Sequence, residues 1–131
     1  VSVDEIRRAA AIMPVTSVQN RLSPFFREAL DEGVVEYTTL EDMGFLAYSP
    51  VGGGRLNRKL PDHPVVSAIA RSRGASPHAV VLALVLVRAP NVIVIPGART
   101  EAHVLDSVAA AEVQLTDEED RAIEAAEFSI A

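Results

Sequence analysis

The sequence predicts an α/β fold, a parallel sheet built from successive βα units. Three observations carry that expectation. Short β-branched, apolar runs recur with centres near residues 17, 47 and 94, and segments of helical periodicity separate them. Two of these runs, Gly44-Phe45-Leu46-Ala47-Tyr48-Ser49 and Val92-Ile93-Val94-Ile95, are apolar almost throughout, the pattern of strands covered on both faces. Finally, 131 residues that are 49% hydrophobic make one domain, with enough apolar material to bury roughly 68% of the unfolded surface.

The elements follow in order. Ser2-Val3-Asp4-Glu5 is a capping box, and Ile6, Ala9, Ala10 and Met13 then recur at helical spacing up to Pro14. Val15-Thr16-Ser17-Val18-Gln19 reads as the first strand, and Asn20 to Phe26 as a loop broken by Pro24. A single helix is expected from about Arg27 to Asp42, with Leu30, Val34, Tyr37 and Leu40 on one face. After the second strand comes a glycine-rich loop, Pro50-Val51-Gly52-Gly53-Gly54-Arg55. His63 to Arg73 reads as a helix closed by Gly74, and Ser76-Pro77 opens a strongly apolar helix to about Arg88. Pro96-Gly97 stops the third strand. A helix follows from about Glu101 to Ala110, and Thr116-Asp117-Glu118-Glu119 is a second capping box before a last helix. Three parallel strands neither close a barrel nor make a wide doubly wound sheet. A (β/α)8 barrel takes about 250 residues, and this chain has about half of that.

Composition excludes several classes. A net charge of −6 argues against sequence-independent nucleic-acid binding, which needs a basic footprint. With no cysteine there is no disulfide framework, thiolate metal site or thiol nucleophile. No run reaches the ~18 apolar residues of a membrane span, and Val1-Ser2-Val3-Asp4 lacks a signal pattern, so a cytoplasmic domain is expected. The opening Val in place of Met suggests a start inside something longer, which processing would equally explain.

In βα folds, ligand sites are built at the carboxyl ends of the strands. Pro96-Gly97-Ala98-Arg99-Thr100 leads from the third strand into a helix, offering free N–H groups, a positive dipole end and a guanidinium. It reads equally as a phosphate site or as an ordinarily capped loop. Tyr48, at a strand end beside glycines, reads as a ring stacked on a flat ligand or as a rim tyrosine packed on a loop. Gln19-Asn20 offers amides that suit a ligand or a turn. His63, His78 and His103 lack metal spacing and read as surface histidines. The acidic Asp117 to Asp120 complements a helix dipole, and Arg55, Arg58 and Lys59 read as one solvated patch. No carboxylate pair is placed for acid–base work.

Together, Ser17-Val18-Gln19-Asn20-Arg21-Leu22-Ser23-Pro24, Gly44-Phe45-Leu46-Ala47-Tyr48-Ser49-Pro50-Val51-Gly52-Gly53-Gly54 and Asn91-Val92-Ile93-Val94-Ile95-Pro96-Gly97-Ala98-Arg99-Thr100 resemble the C-terminal half of the aldo-keto reductases, over essentially the whole chain. The resemblance implies one incomplete domain, 1–131: a partial TIM (β/α)8 barrel comprising the last three parallel strands with flanking helices. It implies NADP(H) as cofactor and, in the intact enzyme, a small-molecule carbonyl substrate. By resemblance Gln19 contacts the nicotinamide carboxamide and Tyr48 stacks on its ring. Ser49, Val51, Gly52 and Gly53 lie along the pyrophosphate, and Gly97, Ala98, Arg99 and Thr100 hold the 2′-phosphate. His103, Asp106 and Ser107 fall at adenosine contacts, although the family often has Arg and Asn where this chain has His103 and Ser107. The family's catalytic Asp, Tyr, Lys and His belong to the first four strands, which this chain lacks. No residue here is therefore nominated as catalytic, and none as a metal ligand. The alternative is a non-catalytic half-barrel that acts by assembly, with a second copy or an N-terminal half as partner.

Overall fold

A computed structural model describes all 131 residues. Helix α1 (Val3–Ala10) starts as its capping box requires: Ser2 Oγ accepts from the Glu5 amide (3.3 Å) and Glu5 accepts from the Ser2 amide (2.7 Å). Only Ile6 is buried on α1, however, and Met13 lies beyond its end, exposed. Strand β1 is Ser17–Arg21, two residues later than the apolar pattern suggests. The ladder decides this, because Ser17 pairs with Gly44 and Arg21 with Tyr48, while Val15 packs on the core from outside the strand.

The single helix expected from Arg27 to Asp42 is two, α2 (Glu28–Asp31) and α3 (Val34–Leu40). Gly33 stands between them in the left-handed region (φ 73°), a conformation that no helix interior accepts. The restarted helix turns Val34, Val35 and Thr38 inward, so Leu40 faces out. Buried Thr38 donates to the Val35 carbonyl (2.9 Å) and accepts from Asn91 Nδ2 (3.1 Å). Asn91 Nδ2 also donates to the Met43 carbonyl (2.8 Å). One amide thus joins the end of α3 to the approaches of strands β2 (Gly44–Tyr48) and β3 (Val92–Ile95).

Beyond β2 the glycine-rich segment is ordered as the short helix α4 (Gly53–Leu56) and a 3₁₀ turn (Asn57–Asp62). Helix α5 (Pro64–Arg73) is capped by His63 and closed by left-handed Gly74. Helix α6 (Pro77–Leu86) is capped by Ser76, and every residue from Ala79 to Val85 is buried. It is apolar all round because it lies between two layers. Val85 joins the core under the sheet, with Val18, Phe45 and Val92. Val80, Val81 and Leu84 meet α5 and helix α8 (Asp117–Glu124). Helix α7 (Glu101–Ala109) follows β3. No helix is long and apolar enough to cross a membrane.

The sheet has order β1-β2-β3, parallel throughout. Its helix-side face is sealed by Val18, Phe45, Ala47 and Val92. The other face is open, with Ile93 56%, Tyr48 43% and Ile95 42% exposed. This corrects the expectation of strands covered on both faces: within this chain only one face has a partner layer. Helix α7 likewise buries no residue and exposes Val104, Leu105 and Val108. The architecture is a segment of a βα barrel with helices outside and the inner wall bare.

Helix α8 is held by charge as well as by buried Ile123. Arg88 pairs with Asp120 (2.5 Å) and Glu124 (3.2 Å), Arg27 also pairs with Glu124, and Arg73 meets Glu119 through two hydrogen bonds (2.9 and 2.6 Å). Arg73, and after it the Thr116 amide, holds the Glu119 carboxyl below the usual carboxylate range. A depressed carboxyl stabilises the fold above its unfolded pKa, and the contribution fades as pH falls through the folded value. Glu119→Gln is expected to melt below wild type at neutral pH, with the gap closing on acidification. Thermal unfolding across pH checks this, and a pH-independent gap contradicts the assignment.

Candidate functional site

The ladder sets the strand ends level. Gln19, Leu46 and Ile93 share one rung; Arg21, Tyr48 and Ile95 share the next one that points to the same face. The loops after β2 and β3 therefore leave the sheet side by side. In the first, Ser49 adopts a left-handed conformation (φ 51°), which costs a non-glycine residue about 1–3 kcal/mol. The Gly52 amide closes that turn on the Ser49 carbonyl (2.9 Å). Gly52 (φ 90°) and Gly53 (φ 72°) then bend the chain into α4. A Cβ on Gly52 would lie 2.7 Å from the Phe25 ring and 2.8 Å from Leu56, so this glycine is demanded by packing as well as by φ.

In the loop after β3, Thr100 caps α7 by accepting from the His103 amide (3.2 Å). His103 Nδ1 accepts from the Arg99 amide (3.4 Å), and Ser107 Oγ donates to the His103 carbonyl (2.9 Å). Asp106 is held from the neighbouring cap, where Ser76 Oγ donates to its Oδ2 (2.7 Å).

Between the loops lies a cleft of about 560 Å³. Of the residues nominated from sequence, Ser49, Val51, Gly53, Gly97, Ala98, Arg99 and His103 line it. An adjoining lobe of about 270 Å³ shares Val51, Gly97 and His103 and adds Asp106 and Ser107. Gln19 and Tyr48 stand apart from the cleft, on the open face of the sheet near the same rim. Gly52 turns toward Phe25, and the Thr100 side chain is engaged in its cap.

Three polar side chains not nominated from sequence also line these cavities: Asn57, Arg58 and His78. Asn57 Nδ2 donates to the Gly53 carbonyl (2.6 Å), and the Asn57 carbonyl meets His78 Nε2 (3.0 Å). The basic patch is therefore divided. Arg58 faces the cleft, whereas Arg55 and Lys59 reach carbonyls of residues 129–131 on the other side. The contacts with residues 129–131 make the split, since helical spacing alone would leave Arg55, Arg58 and Lys59 together. His63 and His78 are partly exposed, and each ring is hydrogen-bonded within the chain rather than freely solvated.

The larger cleft is lined by no carboxylate, in a chain of net charge −6. Arg58 and Arg99 both face it, and neither side chain makes an ion pair. With the α7 amino terminus beside them, this is an anion-accepting rim.

Fold and rim define a segment of a parallel βα barrel with its ligand cleft at the carboxyl ends of the strands. The sequence model of the aldo/keto reductase family matches residues 1–127, and the chain belongs to that family. It is 31% identical, over 93% of its length, to an aldo-keto reductase of Strobilurus tenacellus, covering 45% of that protein. It is also 31% identical, over 90% of its length, to an uncharacterised oxidoreductase of Schizosaccharomyces pombe, covering 37% of it. In structure it is similar to an aldo-keto reductase of Klebsiella pneumoniae solved in complex with NADPH, with TM-score 0.85, 23% identity, and coverage of 95% of this chain and 44% of that one. The chain thus spans less than half the length of these relatives.

Gly52→Ala is expected to destabilise the fold by about 2–4 kcal/mol, the sum of left-handed strain and overpacking against Phe25. Denaturant unfolding checks it, and a cost below about 1 kcal/mol would mean that the turn repacks freely.

Proposed function

We propose that this chain is the C-terminal, cofactor-holding part of an NADP(H)-dependent aldo-keto reductase, and that the proton-handling residues belong to barrel units outside it. The observation that supports this most is the carboxylate-free cleft flanked by Arg58 and Arg99. Its size suits an extended, multiply phosphorylated ligand. Gly53 and Gly97 let backbone approach phosphate closely, and the guanidinia supply bidentate donors.

In this reading Gln19 and Tyr48 take the nicotinamide end at the open face. Ser49, Val51, Gly52 and Gly53 follow the pyrophosphate, with Arg58 beside them. Gly97, Ala98, Arg99 and Thr100 take the 2′-phosphate, while His103, Asp106 and Ser107 line the adenosine lobe. Bound NADPH supplies a hydride for a carbonyl carbon. Tyr37 is not placed to donate the accompanying proton: it lies on α3, outside the sheet, under the Arg7 guanidinium (5.1 Å). A cytoplasmic setting is part of the same proposal.

NADPH fluorescence titration of the 131-residue chain tests the reading. Binding is expected without carbonyl reduction, and turnover by the isolated chain would overturn the division of labour. Arg99→Ala is expected to weaken NADPH by about 1–3 kcal/mol and NADH far less. Equal losses remove Arg99 from the 2′-phosphate role.

A second reading, a half-barrel that acts by assembly, is favoured by the bare inner wall, the free edges of β1 and β3, and the apolar side of α7. It expects the chain to associate with itself or with an N-terminal half-barrel. Light scattering that finds only a 14.0 kDa monomer, unchanged by an added N-terminal half, would count against it.

A further inference from the structure

Residues 127–131 pack against the back of the loop whose front walls the cleft. The Phe128 ring stacks on His63 (4.3 Å between centroids, 10° between planes) and meets the Phe25 edge at 5.2 Å and 82°. Phe25 is the ring that closes on Gly52, so the packing runs from Phe128 to the turn beside the cleft. Hydrogen bonds repeat the link. His63 Nδ1 accepts from the Val66 amide (3.3 Å), which leaves its Nε2–H to donate to the Glu127 carbonyl (3.1 Å). Arg55 donates to the Ile130 carbonyl (2.6 Å), and Lys59 donates to the carbonyls of Ser129 (3.0 Å) and Ala131. The opposite side of the same loop, with Gly53, Asn57 and Arg58, lines the cleft.

We propose that residues 127–131 are a strap that positions the cleft's phosphate-facing wall, Gly53 to Leu60, and thereby sets cofactor affinity; this rests on the cofactor reading above. The physical argument is one of shared parts. A loop with three glycines in succession, Gly52 to Gly54, has little conformational preference of its own. It is otherwise held by the Asn57–Gly53 hydrogen bond, the His78 contact to the Asn57 carbonyl and the buried side chains of Leu56 and Leu60. The strap adds three carbonyl acceptors and an aromatic stack on the far side. It also engages Arg55 and Lys59 on the far side, so Arg58 is the loop's cation toward the cleft. None of the strap residues lines the cleft, so they are positioning residues.

The test uses the 131-residue chain, with Phe128→Ala, Phe128→Tyr and the double variant Arg55→Ala/Lys59→Ala. Amide hydrogen exchange without ligand reads the loop directly. Phe128→Ala is expected to raise exchange across residues 53–60 about tenfold while leaving α6 protected, and Phe128→Tyr to restore the wild-type rate. Ligand binding reads the consequence. NADPH should bind about tenfold more weakly to Phe128→Ala, while 2′-AMP, which lacks the pyrophosphate, should bind as it does to wild type. Unchanged exchange across 53–60, or equal losses for both ligands, overturns the proposal. Wild type that binds neither ligand overturns the cofactor reading instead, and the exchange comparison still decides whether the strap holds the loop. Should Phe128→Ala fail to fold, the surface double variant must show the same selective loosening or the proposal falls.

Discussion

Parallel pairing of three strands in fixed register is the constraint on which everything else rests. It fixes which side chains share a face, because a slip of one residue would send Val18, Phe45 and Val92 to the open side. It also levels the strand ends, so that two loops separated by more than forty residues of sequence run side by side. The cleft exists because of that adjacency. Neither loop forms it alone, and one guanidinium comes from each.

Stability is concentrated on the helix side. Helix α6 joins its two layers, serving the sheet through Val85 and the α5–α8 layer through Val80, Val81 and Leu84. Helix α8 is then fastened by Arg27, Arg73 and Arg88 to three other parts of the chain. This one-sided construction explains how a barrel segment holds its shape while its inner wall stays bare. The helical layer buries the apolar area that ordering the chain requires, whereas the inner wall has no partner layer within this chain.

The rim is largely self-satisfied. Thr100, His103 and Ser107 spend their hydrogen bonds on the first turns of α7, and Asp106 is held by Ser76. What is left uncommitted is positive: the guanidinia of Arg58 and Arg99. A polar site with its neutral groups already tied and its cations free is organised for an anion at small ordering cost. The left-handed Ser49 fits that picture, because strain at a strand end persists only where the surroundings hold it.

Local chemistry made much of this legible in the residues themselves. The capping boxes at Ser2 and Thr116, the stop at Gly74, the Ser76-Pro77 start and the apolar β2 and β3 runs are each decided by neighbours within a few positions, and they stand where the sequence puts them. The loops after β2 and β3 likewise follow the strand ends that the sequence marks. Contacts across long separations decided the rest. The shifted start of β1, the turn of Gly52 toward Phe25 and the parting of Arg58 from Arg55 and Lys59 all answer to partners distant in the chain. Composition and spacing fix what a segment is able to form. Which of its faces meets another segment is settled only when the whole chain packs, because burial is a property of the assembled layers rather than of any one stretch of residues.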